Sequence, residues 1–449
     1  MNAMRIVQQV SDFGLGGIQK AACVLADTMA DEGHATWVVA SDSGPRFRPT
    51  SRPTRQHIVL GTHDPALIVK AILALRPDVI HFHGCAYSED ALRALNQIAP
   101  TPRPLVVSTP VFGRPPVDPT ILRLSRTCCV GSYAFYRLCK WLSMSPDIAL
   151  GQGIAYVPLT PYTPAPSPVS TLDSDDLRNA RRSALGIHSS AFVCGRIGRD
   201  DLHKWSPLNY TLVDRLLSSF PQVQWLSVGF PSQLGADALA SRWGRRFLNI
   251  PCVVDAQELA NLVSSFDLQV FFSRYGECFA SSIAEAAGVG VPTIALSTPL
   301  HDNGQAEQIL DGVTGYLVGG VDGALSAAKR LINDSQALRR LKQSCMTHAH
   351  SRWHAVRVAR DLLDFYAEWA SGSLRSTHRD ALLREADAFR ATYRARAVKI
   401  AFEEGLLHAI KTTAGLPLVE SWPTFVTGRT LMAGARWALR RSRGAIEGK

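Results

Sequence analysis

A chain of 449 residues exceeds what one hydrophobic core supports, so two or three domains are expected. With 19% charged and 46% hydrophobic residues, and no apolar run long enough to span a bilayer, the composition is that of an ordinary globular protein. Nine cysteines without a Cys-x-x-Cys pair argue against a disulfide or zinc framework, and no signal-like apolar core follows Met1, so a cytoplasmic location is expected.

The first half alternates strand-like and helix-like segments. An apolar strand at 6–10 runs into Gly14-Leu15-Gly16-Gly17-Ile18-Gln19, and Ile18, Ala22, Leu25 and Met29 then mark one helical face. Strands at 36–40, 79–82, 105–108 and 128–130 alternate with helices at 66–75 and 89–97, which predicts a parallel doubly wound sheet. Five prolines within residues 158–168 read as a stiff linker, and a second α/β alternation occupies 176–349. Trp353, Val356, Leu363, Tyr366 and Ala370 mark a long amphipathic helix. These features divide the chain into a first domain (1–157), a linker (158–176), a second domain (177–352), a crossover helix (353–372) and an extension (373–449).

The extension is basic, with 14 Lys/Arg against 7 Asp/Glu over 374–449, which is most of the chain's net charge of +10. A helix is expected at 382–402, a break at Gly415-Leu416-Pro417, and a second helix at 425–443. Arg429, Arg436, Arg440 and Arg443 share one face of that second helix, which suits an anionic membrane surface; the alternative is a helical pair docked on the body with its arginines in water. Zinc-finger, RNA-binding and helix-turn-helix patterns are missing, so nucleic acid is not an expected partner.

The most informative pair is Glu277 and Glu285. Residues 268–272 read as a buried strand and 281–288 as a helix of small residues ending at glycine. Glu277 then sits in the loop at the carboxyl end of a strand, where open α/β sheets bind ligands, and Glu285 on the helix that follows. A diphosphate lying against that helix's amino terminus, with polyol hydroxyls at either end, would fit the layout. Upstream, a strand at 192–197 runs into a loop carrying Arg199 and Lys204, which from the residues alone also reads as a solvated basic loop. Gly16 and Gly17 let backbone N–H groups approach a phosphate, with a plain tight turn as the alternative. The loop lacks the third glycine and the acidic residue of a dinucleotide fingerprint.

After Glu285 come Gly290-Val291-Pro292, a strand, Gly304-Gln305-Ala306-Glu307 and Gly312-Val313-Thr314-Gly315-Tyr316-Leu317-Val318. This order resembles the carboxyl-terminal half of retaining glycosyltransferases of the large Glu-x7-Glu family (family 4-like, group 1), which includes mannosyltransferases and sucrose synthases. The resemblance implies a GT-B fold: two Rossmann-like α/β domains facing a cleft, here with the helical basic extension added. It implies that Glu277 and the backbone of Cys278, Phe279 and Ala280 hold the donor sugar and that Glu285 holds the ribose. Arg199 and Lys204 would neutralise the diphosphate, with Arg196 the lesser candidate for the Arg199 role. His83, in His81-Phe82-His83-Gly84, matches a family histidine that would orient the sugar or an acceptor hydroxyl; a structural histidine is the alternative. The crossover helix would brace the first domain.

Two departures stand out. Thr109 occupies a place where many members carry histidine, and Cys278-Phe279-Ala280 replaces Gly-Phe-Gly. The expected function is transfer of a sugar from a nucleotide-sugar to a glycan or lipid-linked acceptor hydroxyl, of the kind that assembles bacterial-type glycans, lipopolysaccharide or glycolipids. No metal or other cofactor is expected, and Asp173-Ser174-Asp175 reads as a helix cap. A silent GT-B module that binds carbohydrate or nucleotide-sugar is the alternative, with a phosphorylase or epimerase behind it.

Overall fold

Each α/β alternation closes into its own parallel sheet. The computed structural model describes residues 3–49, 54–98, 101–158 and 175–420. Most of the proline-rich stretch, Asp173 and Ser174 of the cap, and the 425–443 helix lie outside the described residues.

The first sheet contains β1 (Arg5–Asp12), β2 (Ala35–Asp42), β3 (Arg55–Val59), β4 (Val79–Gly84), β5 (Leu105–Pro110), β6 (Arg126–Cys129) and β7 (Ile154–Tyr156), in the order β3-β2-β1-β4-β5-β6-β7. Its helices are α1 (Gly17–Asp31), α2 (Pro65–Ala74), α3 (Glu89–Ile98), α4 (Ser132–Trp141) and α5 (Pro146–Gly151). The second sheet contains β8 (Phe192–Ile197), β9 (Val223–Val228), β10 (Phe247–Ile250), β11 (Leu268–Phe271), β12 (Thr293–Leu296) and β13 (Gly315–Val318), in the order β10-β9-β8-β11-β12-β13. Its helices are α6 (Asp175–Ala184), α7 (Leu208–Ser219), α8 (Ala236–Trp243), α9 (Ala256–Ser264), α10 (Ser281–Gly288), α11 (Gln305–Gln308), α12 (Val321–Asn333) and α13 (Ser335–Trp353). The strand order reverses between β1 and β4 in one sheet and between β8 and β11 in the other, the points where open sheets leave a crevice.

β8 and β11 are pinned together at their start by Asp267. Its carboxylate accepts from Arg178 (2.6 Å) and Arg182 (2.7 Å) of α6, Lys342 (3.3 Å) of α13 and the Val193 N–H (2.9 Å). Burial disfavours the charge, but Lys342, Arg178 and Arg182 together pull the Asp267 carboxyl down to about 2.

The helix expected at 353–372 is present, except that Trp353 closes the preceding helix. α13 ends at Trp353, His354 is extended, and α14 (Ala355–Ala370) begins afresh. α14 packs on α1 of the first domain, and its buried Tyr366 hydroxyl meets His81 Nδ1 at 2.6 Å. The extension is also a docked element up to Glu420. α15 (Ser376–Glu403) touches both domains: Tyr156 Oη donates to Leu382 O (2.9 Å), and Arg396 donates to Ala306 O and Ile309 O. The expected break at Gly415 does not occur, since α16 (Leu406–Val419) runs through Pro417. Gly415 lies so close to Leu300 that a Cβ there would sit 2.6 Å from the leucine Cδ2, so the helix packs on the second domain at this point. Among the described residues no helix is long and apolar enough to cross a membrane.

Candidate functional site

β11 delivers the chain to a left-handed glycine, Gly276 (φ +65°), where a Cβ would fall 1.6 Å from Asp302 O. Only glycine permits that contact, and it sets the loop of Glu277 against the loop before α11. Gly304 N donates to Glu277 O (2.6 Å), Gln305 Oε1 accepts from Glu277 N (3.3 Å), and Gln308 brackets Ala280 through both N–H (2.8 Å) and C=O (3.1 Å). Glu277 is therefore held from the backbone outward. Its carboxylate accepts twice from Lys204 Nζ, at 2.8 and 2.9 Å, with the lysine side chain still one-third exposed.

The loop carrying Lys204 is folded around a fully buried Trp205, whose indole N–H donates to Arg199 O at 2.9 Å. Beneath it Arg196 is 1% exposed, stacks 4.1 Å from the Trp205 ring, and donates to Lys204 O (2.5 Å), Asn209 Oδ1 (3.0 Å) and Phe272 O. Burial lowers its guanidinium to about 9. Arg196 is thus a scaffold for the loop, spent on carbonyl oxygens. Arg199 is half exposed, and the carboxylate it meets is that of Asp201, at 3.8 Å.

α10 begins at Ser281 after Ala280, which supplies no side-chain cap. α10 starts shortly after Glu277, and an uncapped helix amino terminus favours an anion. Glu285, farther along α10, is paired with Lys20 Nζ of α1 at 2.5 Å, from the opposite domain. The Gly16-Gly17 turn touches α10 here as well, since a Cβ on Gly17 would sit 2.7 Å from Ser281 Oγ.

No protein-family model matches this sequence, and no curated protein matches it either. Solved structures do match in shape. A glycosyltransferase from Rickettsia africae ESF-5 superposes with TM-score 0.65 at 15% identity, over 83% of this chain and all of that one. Anabaena HepE in complex with UDP gives 0.60 at 18% identity, over 81% of this chain and all of that one. WaaG, a glycosyltransferase involved in lipopolysaccharide biosynthesis, gives 0.58 at 14% identity, over 80% and 99%. The fold is GT-B.

Within the GT-B frame the remaining predicted residues fall in several places. Cys278, Phe279 and Ala280 turn their side chains into the core, at 2%, 8% and 3% exposure, so only their backbone is left for a ligand. Phe279 packs edge-on to Trp353, and Cys278 Sγ accepts from Arg137 Nη2 at 2.8 Å. The two side chains that replace the glycines of Gly-Phe-Gly, those of Cys278 and Ala280, are thus claimed by the core and the seam between the domains. His83 is 4% exposed, stacked on His81 at 3.9 Å, with Nε2 on Gln8 Oε1 at 2.5 Å. Burial lowers its imidazole to about 3, so it is neutral, and none of its contacts among the described residues is to either glutamate. Thr109 fills its own position structurally, 2.7 Å from His81 Nε2.

Three residues at the seam have roles that the sequence did not assign, although Glu307 closes the Gly304–Glu307 motif named above. Arg137 of α4 is buried between domains, on Asp302, Phe112 O and Cys278, with Tyr133 and Trp141 rings at 5.0 and 4.8 Å. Glu307 accepts from Ser132 N and Tyr133 N, both at 2.9 Å, and so caps the amino terminus of α4 from the other domain. Burial raises its carboxyl, against those two N–H groups. Gly131 makes the approach possible, for a Cβ there would be 2.6 Å from Glu307 Oε2. Lys20 is the third. Its one sequence signal was a basic side chain in the first turn after the glycine loop.

Proposed function

We propose that the chain is a retaining glycosyltransferase that moves a sugar from a nucleotide-sugar donor to an acceptor hydroxyl. The observation that carries this reading is the Lys204–Glu277 pair beside the uncapped amino terminus of α10, at the switch point of the second sheet. A diphosphate placed there meets helix N–H groups, Lys204 and the half-exposed Arg199, so charge developing on the leaving group is stabilised without a metal. Glu277, once Lys204 turns to phosphate, accepts from sugar hydroxyls, and Glu285 accepts from the ribose. The acceptor approaches from the first domain, and the leaving diphosphate helps to deprotonate it on the face it departs from. HepE carries UDP on this fold, which supports a nucleotide donor.

A glycan or lipid-linked acceptor in bacterial-type surface assembly fits the likeness to WaaG. Residues 425–443 would then bring the enzyme to an anionic membrane surface as a peripheral protein. Because α15 and α16 belong to the docked body, the informative truncation ends at Glu420. Equal sedimentation of that protein and the full chain with anionic vesicles at low salt would remove the membrane role.

The reading as an enzyme is tested by incubating the protein with UDP-, GDP- and ADP-sugars. Slow donor hydrolysis or transfer is expected for one of them, and neither binding nor hydrolysis with any would defeat it. The silent-module reading is favoured by one observation, that Lys20 already covers Glu285. Calorimetric donor binding without hydrolysis or transfer would support it.

A further inference from the structure

Lys20 has no role in the reading above, and its surroundings supply one. Its backbone N–H donates to Gly16 O at 3.1 Å, so the glycine loop sets where its side chain starts. The ammonium then crosses the seam to Glu285, with the two side chains 11% and 16% exposed. A pair this enclosed gives up hydration that an exposed surface pair keeps. It also occupies the carboxylate that the proposed function assigns to the ribose.

Positive charge gathers around this pair. The amino termini of α1 and α10 meet here, both without a side-chain cap, and half-buried Arg46 lies near enough for Glu285 to act on its charge. Two helix amino ends, an ammonium and a guanidinium gather around Glu285, while the nearby Asp12 is held on the glycine loop by Gly14 N–H (2.6 Å) and the Gln19 amide (3.2 Å). A lysine, with its flexible stem and compact charge, is suited to leave one anion for another in such a place.

We propose that Lys20 is a mobile cation of the first domain that serves the donor diphosphate. Ribose hydroxyls displace the ammonium from Glu285, and the ammonium turns to the phosphates, where it joins Arg199 and Lys204 from the facing domain. This rests on the nucleotide-sugar reading, and makes donor binding the event that exchanges one contact across the seam for another.

The test is calorimetry on the full chain with UDP, GDP and ADP and with uridine, guanosine and adenosine. For the nucleotide that binds the wild type, Lys20→Met is expected to weaken the diphosphate at least tenfold, while affinity for the parent nucleoside holds or rises because Glu285 is freed. Lys20→Arg keeps the charge and serves if the Met variant does not fold. It is expected to change diphosphate affinity at least threefold, with nucleoside affinity held within twofold. If either folded variant changes both affinities by the same factor, Lys20 is only a seam ion pair and the proposal falls, while the nucleotide reading stands. Wild-type protein that binds none of the three diphosphates overturns both.

Discussion

The two lysine–glutamate pairs differ in what holds them. Lys204–Glu277 lies within one domain, on loops fixed by the β8–β11 register, by Arg196 beneath Lys204 and by the glutamine brackets of α11. Lys20–Glu285 joins two domains and exists only where they meet. The first pair is therefore built into a rigid frame before any ligand arrives, whereas the second reports the geometry of the seam. In the proposed function both contacts exchange on donor binding, the first on a fixed frame and the second across the seam.

Breaking the seam is the harshest way to separate the pairs. Arg137→Ala leaves Asp302 without its buried partner and empties a space shared by both domains, so a loss of about 3–5 kcal/mol in chemical denaturation is expected. Nucleotide affinity should fall with it, because Glu285 is held from across that seam. A change below about 1 kcal/mol would show that the interdomain contacts do little to hold the protein together.

Glu277→Ala acts on the rigid pair. Transfer should fall by about 10²–10³, near 3–4 kcal/mol, while free nucleotide affinity stays close to that of the wild type. Asp267→Asn tests the frame behind it. The folded Asp267 carboxyl lies at about 2, below the ordinary 3.8, so its contribution is fully present above pH 4 and is lost as pH falls toward 2. The wild type should exceed the variant by about 2 kcal/mol at neutral pH, and the gap should close in acid unfolding curves. A gap that persists unchanged at pH 2 would contradict the ion-pair account.

The smallest effect is expected at the spanning pair. Glu285→Ala should weaken nucleotide binding by about 1–3 kcal/mol, the loss of a charge-assisted hydrogen bond. Equal losses of free-nucleotide affinity in the Glu277 and Glu285 variants would erase the distinction drawn between them.

Much of the frame was legible because it is local. Strand and helix periods placed β1, β4, β8 and β11, and the span 281–288 was read from its small residues and closing glycine. In the first sheet the two edge strands were not read. β3 is half-buried along its whole length and β7 has three residues, too little pattern for either. α4 was missed for the opposite reason. It is buried on nearly every side, so it has no amphipathic stripe, and its covering comes from β7, the second domain and α15, far away in the chain.

The sequence by itself determined which loops end at the two switch points and which charged residues those loops carry, because loop spacing and hydrophobic period are properties of neighbouring residues. The tertiary structure decided what each charge does there. It gave Arg196 to the scaffold and left Arg199 half exposed, enclosed His83 with Gln8, turned Cys278 toward Arg137, and packed α16 on Leu300. It also set Lys20 on Glu285, two residues 265 positions apart. Partners that distant are brought together by the packing of whole domains, and no short-range pattern in the chain encodes the choice.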